Sequence, residues 1–374
     1  MKNTFRVEQG DSRELLKTLE DSSVDAIVTD PPYEIGFLGR SWDASGIAYD
    51  VTFWQECLRV LKPGGHLLAF SAPRTYHRMT CAIEDAGFEI RDQVMWLHSE
   101  GMPKGQNLGL QGAKKGYSED VVETMQGWNS TLKPCHEPIV MARKALVGTI
   151  VENMASHGVG GLHVDVCRIP VDWDKDPSNR ARGHGFWLKG YERPDDPRVG
   201  NGPKLKAEDY DTMKGRYPAN VVHDGSEEVL SYFPDTLPCG SAKKSDSQPG
   251  QVFDIKAKAG SNAAYIGDEG SAARFFYCAK PKAKERDAGL ETKNTHVTVK
   301  PTKLMRWLVR LVVPQGATVL DPFTGSGTTG RACILEGMDF IGFELDPDHV
   351  EIAQARILDA CKEVEEQAPS LFDI

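Results

Sequence analysis

The sequence contains no C-x-x-C pair, although it carries 8 cysteines: Cys57, Cys81, Cys135, Cys167, Cys239, Cys278, Cys333 and Cys361. That absence excludes a zinc ribbon and a thioredoxin-like redox site, and it leaves reduced, mostly buried thiols of a cytoplasmic protein. No metal site is expected. Positive charge is not in excess either, because the net charge is −10 and the sequence pI about 5.5. Indiscriminate coating of nucleic acid is thereby excluded, but a local basic cleft is not. No apolar run reaches membrane-spanning length, and Met1 to Asp11 lead into a strand pattern without an apolar signal region. What is present suffices for a core: 40% of the 374 residues are hydrophobic, enough for one large domain or a core with an insertion.

Taken in order, the chain alternates strand and helix signals. Thr4 to Gln9 alternate as a short strand, and Gly10-Asp11-Ser12 turns into a helix over Glu14 to Leu19. Asp11 then stands at a strand's carboxyl end beside a helix start, where it reads equally as an N-cap or as a ligand-facing carboxylate. Val24 to Thr29 read as a strand buried on both faces, as in a parallel sheet. A helix is predicted over Phe53 to Leu61, stopped by Lys62-Pro63-Gly64-Gly65, with a strand over His66 to Phe70. Tyr76 to Ala86 form the next helix, ended by Gly87. Phe88 to Leu97 and Glu137 to Ala142 are strands, and Ser99 to Gly116 a loop rich in Gly and Lys.

The strand ending at Thr29 opens onto Asp30-Pro31-Pro32-Tyr33. Two prolines fix φ and delete two backbone donors, which leaves a rigid run of acceptors followed by an aromatic ring. An exocyclic amino group on a nucleobase offers two N–H donors. Asp30 and the Pro31 carbonyl are suited to bind both, freeing the nitrogen lone pair for attack, while Tyr33 supplies a face for a flipped base. No metal and no nucleophilic side chain is required.

From about Val147 to Ala273 the pattern dissolves into short apolar runs among Gly, Pro, Asp and Lys, with aromatics interspersed. This reads as an inserted, loop-rich domain, and long ordered loops in an enzyme usually bind something. Arg180, Arg182, His184, Lys189, Arg193, Lys204, Lys206, Lys214 and Arg216 are its candidates for phosphate and base-edge contacts. After a strand at Arg274 to Cys278 comes a basic segment, from Lys280 through Lys300 to Arg310, which reads as a solvated face or as a phosphate-tracking run. A helix over Lys303 to Val313 follows.

Ala317 to Leu320 then form a strand, Asp321-Pro322-Phe323-Thr324-Gly325-Ser326-Gly327-Thr328-Thr329-Gly330 a glycine turn, and Arg331 to Leu335 a helix. Strand, glycine turn and helix in this order place the turn at the carboxyl end of a strand in an α/β sheet. A second strand, Asp339 to Phe343, ends in Glu344, about 20 residues on, where a carboxylate can take a ribose diol. A final helix runs from His349 to Glu366. By itself the turn suits NAD or FAD as well. The paired-acceptor motif suits a methyl donor with an activated sulfonium, with Glu344 on the ribose and Asp11 on the adenine amino group.

With both motifs in place, the chain resembles the S-adenosylmethionine-dependent, amino-directed DNA methyltransferases of the permuted β group. The resemblance rests on Gly10-Asp11-Ser12, Asp30 to Tyr33, His296 to Pro301, Asp321 to Thr329 and Glu344-Leu345-Asp346-Pro347, and covers residues 1–145 and 274–360 or so. One departure is Val297, where the family usually has proline. The resemblance implies a Rossmann-like class I methyltransferase fold, α/β and circularly permuted, with a mostly parallel doubly wound sheet. Residues 1–146 would be the catalytic half, 147–273 an inserted target-recognition region, 274–366 the cofactor half and 367–374 a tail. It implies S-adenosyl-L-methionine as cofactor, held by Asp11, Ser12, Thr298, Lys300, Asp321, Phe323, Gly325, Ser326, Gly327, Thr328, Thr329, Glu344 and Asp346. Asp30, Pro31, Pro32 and Tyr33 would carry catalysis on double-stranded DNA. An aspartate first in the motif implies adenine N6, since cytosine-N4 enzymes often carry serine there. Cytosine N4 stays open, as do a dinucleotide-dependent oxidoreductase and a non-catalytic DNA-binding regulator. Related enzymes are often homodimers. The tail residues Ser370-Leu371-Phe372 read as a frayed terminus, and also resemble the peptide that binds the bacterial sliding clamp.

Overall fold

The structure is a computed structural model that describes residues 3–36, 41–101, 105–170, 215–236, 270–296 and 298–367. Val297, the tail Ser370-Leu371-Phe372 and the basic candidates from Arg180 to Lys214 lie outside the described residues. In chain order the strands are β1 Phe5–Gln9, β2 Val24–Thr29, β3 Leu61–Phe70, β4 Glu89–Leu97, β5 His136–Arg143, β6 Val221–His223, β7 Asp235–Thr236, β8 Gly270–Ser271, β9 Tyr277–Cys278, β10 Thr318–Asp321 and β11 Asp339–Glu344.

Nine of them form one sheet in the order β1-β11-β10-β2-β3-β5-β4-β6-β9. Every pairing is parallel except those of β5, which runs against both β3 and β4. The α/β, mostly parallel sheet expected from the sequence is therefore present. Strand order reverses between β10 and β2, whose registers join Val319 to Ala26 and Leu320 to Ile27. A reversal of this kind opens a crevice at the carboxyl ends of the two strands.

Helices cover both faces. Alternation along β2 sends Ala26 and Val28 to one core with Leu304, Trp307, Leu308 and Ile357, and Ile27 to the other with Phe53, Trp54 and Ile83. The Thr302–Val312 helix starts directly after Pro301, whose fixed φ suits a helix entry, and buries Leu304, Met305, Leu308 and Leu311 along one stripe. The terminal Pro347–Gln367 helix packs Ala353, Ile357 and Ala360 into the same core. No helix among the described residues is long and apolar enough to cross a membrane.

Several local expectations are corrected. The helix expected to stop at Lys62-Pro63-Gly64-Gly65 does end just before it, at Val60, but the next strand starts earlier than His66: β3 begins at Leu61 and carries those residues as a bulge between the Val24↔Leu61 and Ala26↔His66 pairings. Gly64 takes φ +79°, and its N–H reaches the carbonyls of Lys144 and Ala145, both at 3.2 Å. The expected loop at Ser99 to Gly116 contains a helix, Leu108–Lys114, capped by Asn107. Only Tyr277–Cys278 of the strand expected at Arg274 to Cys278 pairs in the sheet, since Ala272–Phe275 is a 3-10 turn.

The chain divides into two compact units. The first comprises residues 1–167, 219–229 and 277–374, and the second residues 168–218 and 230–276. The pattern expected to dissolve at Val147 in fact continues into a helix, Ile150–His157, which belongs to the first unit. Thr149 and Glu152 close a capping box at its start. The buried Asn153 amide donates to the carbonyls of Pro63 (2.9 Å) and Val159 (2.7 Å). In the second unit β7 and β8 pair as a short antiparallel ribbon, and the guanidinium groups of Arg216 and Arg274 lie 4.7 Å and 4.4 Å from the Phe275 ring centre.

Candidate active site

The carboxyl ends of β1, β2, β10 and β11 surround a cavity of about 580 Å³. Asp11, Ser12, Asp30, Pro32, Thr298, Lys300, Asp321, Phe323, Gly325, Ser326, Thr328, Thr329, Glu344 and Asp346 line it. Two motifs separated by almost the whole chain therefore meet in one crevice. Pro31, Tyr33 and Gly327 adjoin these residues in the chain but are not part of the lining.

The glycine turn is fixed from three sides. Gly325 (φ +52°) and Gly327 (φ +76°) adopt left-handed backbone, and an added Cβ would come within 2.9 Å of His296 Nε2 at the first and 2.8 Å of Ala353 Cα at the second. Glu344 ties the turn to β11: its Oε2 accepts the Gly325 N–H at 2.7 Å and its Oε1 the Asp346 N–H at 3.0 Å. Burial pushes Glu344 upward, but hydrogen bonds from His349 and these two N–H groups win and hold it below the usual carboxylate range. From beneath, the buried Arg356 donates to the Ser326 carbonyl, to Ser326 Oγ (2.9 Å) and to Thr328 Oγ1 (3.0 Å). Burial lowers that guanidinium to about 10. The hydroxyls of Ser326 and Thr328 are thus engaged with protein.

Asp11 fulfils the N-cap reading, since its Oδ1 accepts the Arg13 N–H at 2.9 Å. It also pairs with the Arg13 guanidinium at 3.1 Å, which lowers its pKa. Ser12 Oγ donates to the Pro322 carbonyl at 2.8 Å, joining the first turn of the chain to the glycine motif. Asp321, buried between β2 and β11, accepts from Thr29 Oγ1 at 2.6 Å, and desolvation raises it to about 6.

Lys300 was expected near the cofactor. It also lines the cavity, but its ammonium binds the first carboxylate of the other motif: Nζ lies 2.6 Å from Asp30 Oδ2 and 3.4 Å from Glu137 Oε2. The same Glu137 oxygen accepts the Tyr33 hydroxyl at 2.9 Å. Asp30 Oδ1 is buried and has no hydrogen-bond partner. Desolvation raises the pKa of Asp30 against the pull of Lys300, and Glu137 adds to the rise. The expected phosphate-tracking run is in part paired internally. Arg306 and Arg310 both bind Glu336, and Arg286 donates to the His296 carbonyl at 2.6 Å.

Sequence reasoning missed Glu137, Arg356 and Thr29. Glu137 carries a weak signal, a carboxylate at the mouth of an otherwise apolar strand. Arg356 carries another, a lone arginine on the buried stripe of the last helix.

Residues 24–355 match the profile of the N6/N4 methyltransferase family, described as DNA methylase. The chain belongs to this family. The type II methyltransferase M.BglI of Bacillus subtilis is 25% identical over 373 residues, spanning 95% of this chain and 86% of its own length. Among solved structures, the M1.HpyAVI–SAM complex is 16% identical with a TM-score of 0.43, covering 95% of this chain and 99% of its own. The PvuII cytosine-N4-specific DNA methyltransferase is 15% identical with a TM-score of 0.45, covering 98% and 94%. The protein is accordingly a DNA methyltransferase of the N6/N4 family.

Proposed function

We propose that this methyltransferase modifies the exocyclic N6 of adenine in double-stranded DNA, with S-adenosyl-L-methionine as methyl donor. The observation that carries this reading is Asp30 Oδ1, a buried carboxylate oxygen with no partner, next to a cofactor-sized cavity. A buried acceptor left open costs stability, and a ligand N–H aimed at it recovers that cost.

The residues present fit the cofactor. A volume of about 580 Å³ falls in the range of small-molecule sites. The Gly325 position has no room for a Cβ. Glu344 keeps lone pairs beyond those taken by the two backbone N–H groups, which suits a ribose diol. Phe323, Gly325, Gly327 and Glu344 would hold the nucleoside part, with Asp11, Ser12, Thr298 and Asp346 at its edges. When bound, the cofactor supplies an activated methyl group on a sulfonium.

At the other end Asp30 Oδ1 accepts one amino hydrogen and the Pro31 carbonyl the second. Both bonds draw the nitrogen out of conjugation and expose its lone pair. Lys300 lies 5.4 Å from the Tyr33 ring centre, and that ring is the proposed stacking partner for a base extruded from the duplex. Asp30, raised by burial, is suited to take the surplus amino proton after transfer. Positioning and preorganised electrostatics supply most of the acceleration. Adenine is favoured over cytosine by the aspartate at position 30, where N4 enzymes of this family often carry serine. The second unit is the proposed target reader, and Arg216 and Arg274 give it local positive charge in an acidic chain.

Labelled S-adenosylmethionine and unmethylated genomic DNA test the reading, with the product digested to nucleosides and weighed. N6-methyladenine is expected. N4-methylcytosine would overturn the base assignment, and DNA without label would overturn the reading as a whole.

A further inference from the structure

We propose that Glu137 is a positioning residue for this transfer: it captures the Tyr33 hydroxyl and so keeps Asp30 Oδ1 open for the base. The proposal rests on the reading of Asp30 as the amino-group acceptor.

The geometry is one of competition for a single proton. The Tyr33 hydroxyl is buried within reach of two carboxylates. It donates to Glu137 Oε2 at 2.9 Å, and it lies near enough to Asp30 for a hydrogen-bonding interaction with that carboxyl to shift the pKa of both groups as well. A phenol has one proton to donate. As long as Glu137 takes it, Asp30 Oδ1 has no partner. Asp30 Oδ2 is already engaged by Lys300 at 2.6 Å, so Oδ1 is the acceptor left for a substrate. If Glu137 were an alkyl side chain, the buried hydroxyl would lose its partner, and a buried donor seeks another acceptor. The nearest candidate is Asp30. Tyr33 would then occupy the very oxygen that the amino group requires.

Glu137 is placed for this outside the lining of the cavity assigned to the cofactor. It sits at the start of β5, paired in register with Trp96 of β4. Its second oxygen lies 3.8 Å from Nε2 of the buried His98, whose ring packs on Trp96 at 4.7 Å. Burial lowers the pKa of His98, so it stays neutral near pH 7 and does not draw Glu137 away from Tyr33. Lys300 at 3.4 Å holds the carboxylate from the other side. The cluster sets the two carboxyl groups of Asp30 and Glu137 around one ammonium, Lys300, surroundings that suit the positive charge gained by the amino nitrogen on methylation.

The test is a rescue. Methyl transfer to unmethylated genomic DNA is measured for the wild type, Glu137→Ala, Glu137→Gln, Tyr33→Phe, Glu137→Ala/Tyr33→Phe and Asp30→Ala, with cofactor affinity by calorimetry for each. Glu137→Ala should lower kcat about 100-fold, the scale of a misplaced reacting group, with cofactor Kd within about twofold. Glu137→Gln, whose amide oxygen still accepts the hydroxyl, should lose less. Removing the hydroxyl in the double variant should restore kcat about tenfold over Glu137→Ala, because nothing then blocks Oδ1. A merely structural role predicts the opposite, a double variant no faster than the single one, and that result would overturn the proposal. So would a Glu137→Ala enzyme with unchanged kcat, or one that loses cofactor binding in step with activity. An active Asp30→Ala enzyme would remove the underlying reading of Asp30 and this inference with it. An inactive one beside an unimpaired Glu137→Ala would remove this inference alone.

Discussion

Asp30 and Glu344 are both carboxylates at the carboxyl ends of strands that flank β10, yet their surroundings act in opposite directions. At Asp30 burial outweighs the neighbouring ammonium, its pKa rises, and one oxygen has no partner. At Glu344 hydrogen bonds from His349 and two backbone N–H groups outweigh burial, and its pKa falls. Equal chemistry at equivalent places in the sheet thus yields one poised acid and one fixed strut. The difference lies in the partners: Glu344 faces the His349 side chain and backbone N–H groups of the glycine turn and of its own turn, whereas Asp30 faces side chains from β5 and from the segment leading into the Thr302–Val312 helix.

The largest break in this comparison should come from Lys300→Met. It leaves Asp30 and Glu137 buried without a counter-charge, and removing one partner of a buried pair costs about 3–5 kcal/mol. Urea unfolding checks this, and adding Asp30→Asn should recover part of the loss, since it removes one of the two stranded charges. Next is Gly327→Ala, which forces a side chain into left-handed backbone against Ala353 and should cost about 1–3 kcal/mol in the same assay. Glu344→Gln follows: calorimetry should show cofactor Kd rising about tenfold, or ~1.4 kcal/mol, as a charged acceptor becomes a neutral one.

The smallest effects are in pH dependence. Because Glu344 is held below its ordinary 4.5, its contribution to stability is complete above that pH and lost as pH falls through the lower folded value. The stability gap between wild type and Glu344→Gln should therefore close in acid. His349 has the opposite sign. Glu344 raises it above its ordinary 6.5, so its contribution is complete below pH 6.5 and lost as pH rises through the folded value. The gap to His349→Gln should close on the alkaline side.

The framework of strands and both motifs could be read from the sequence because each strand is an apolar run closed by residues with special backbone demands. Asp-Pro-Pro-Tyr and the glycine turn were legible for the same reason. Periodicity does not report which side chains meet. Lys300 was placed with the cofactor residues by the resemblance of His296 to Pro301, and it does line the cavity, but its shortest bond is to a residue 270 positions away. Glu137 was read only as the first residue of the strand Glu137 to Ala142, since nothing local distinguishes a carboxylate at a strand's start from one that holds a phenol. The Ile150–His157 helix was missed despite its Thr149 and Glu152 capping box, because glycines and a short apolar stripe masked it. The stretch Lys62-Pro63-Gly64-Gly65 follows the end of the helix as expected and is in addition a bulge, a feature of pairing with β2 that a single strand cannot show.

The account stands or falls on Asp30. The most direct measurement is kcat for methyl transfer and cofactor Kd, taken side by side for wild type and Asp30→Asn. An asparagine still reaches Lys300 and fills the same volume, but it brings an amide and no charge to the amino group. The account predicts kcat lower by about 100-fold or more with cofactor Kd nearly unchanged, the loss expected when one preorganised electrostatic contact to the reacting group is removed. A variant that transfers methyl groups at the wild-type rate would contradict it.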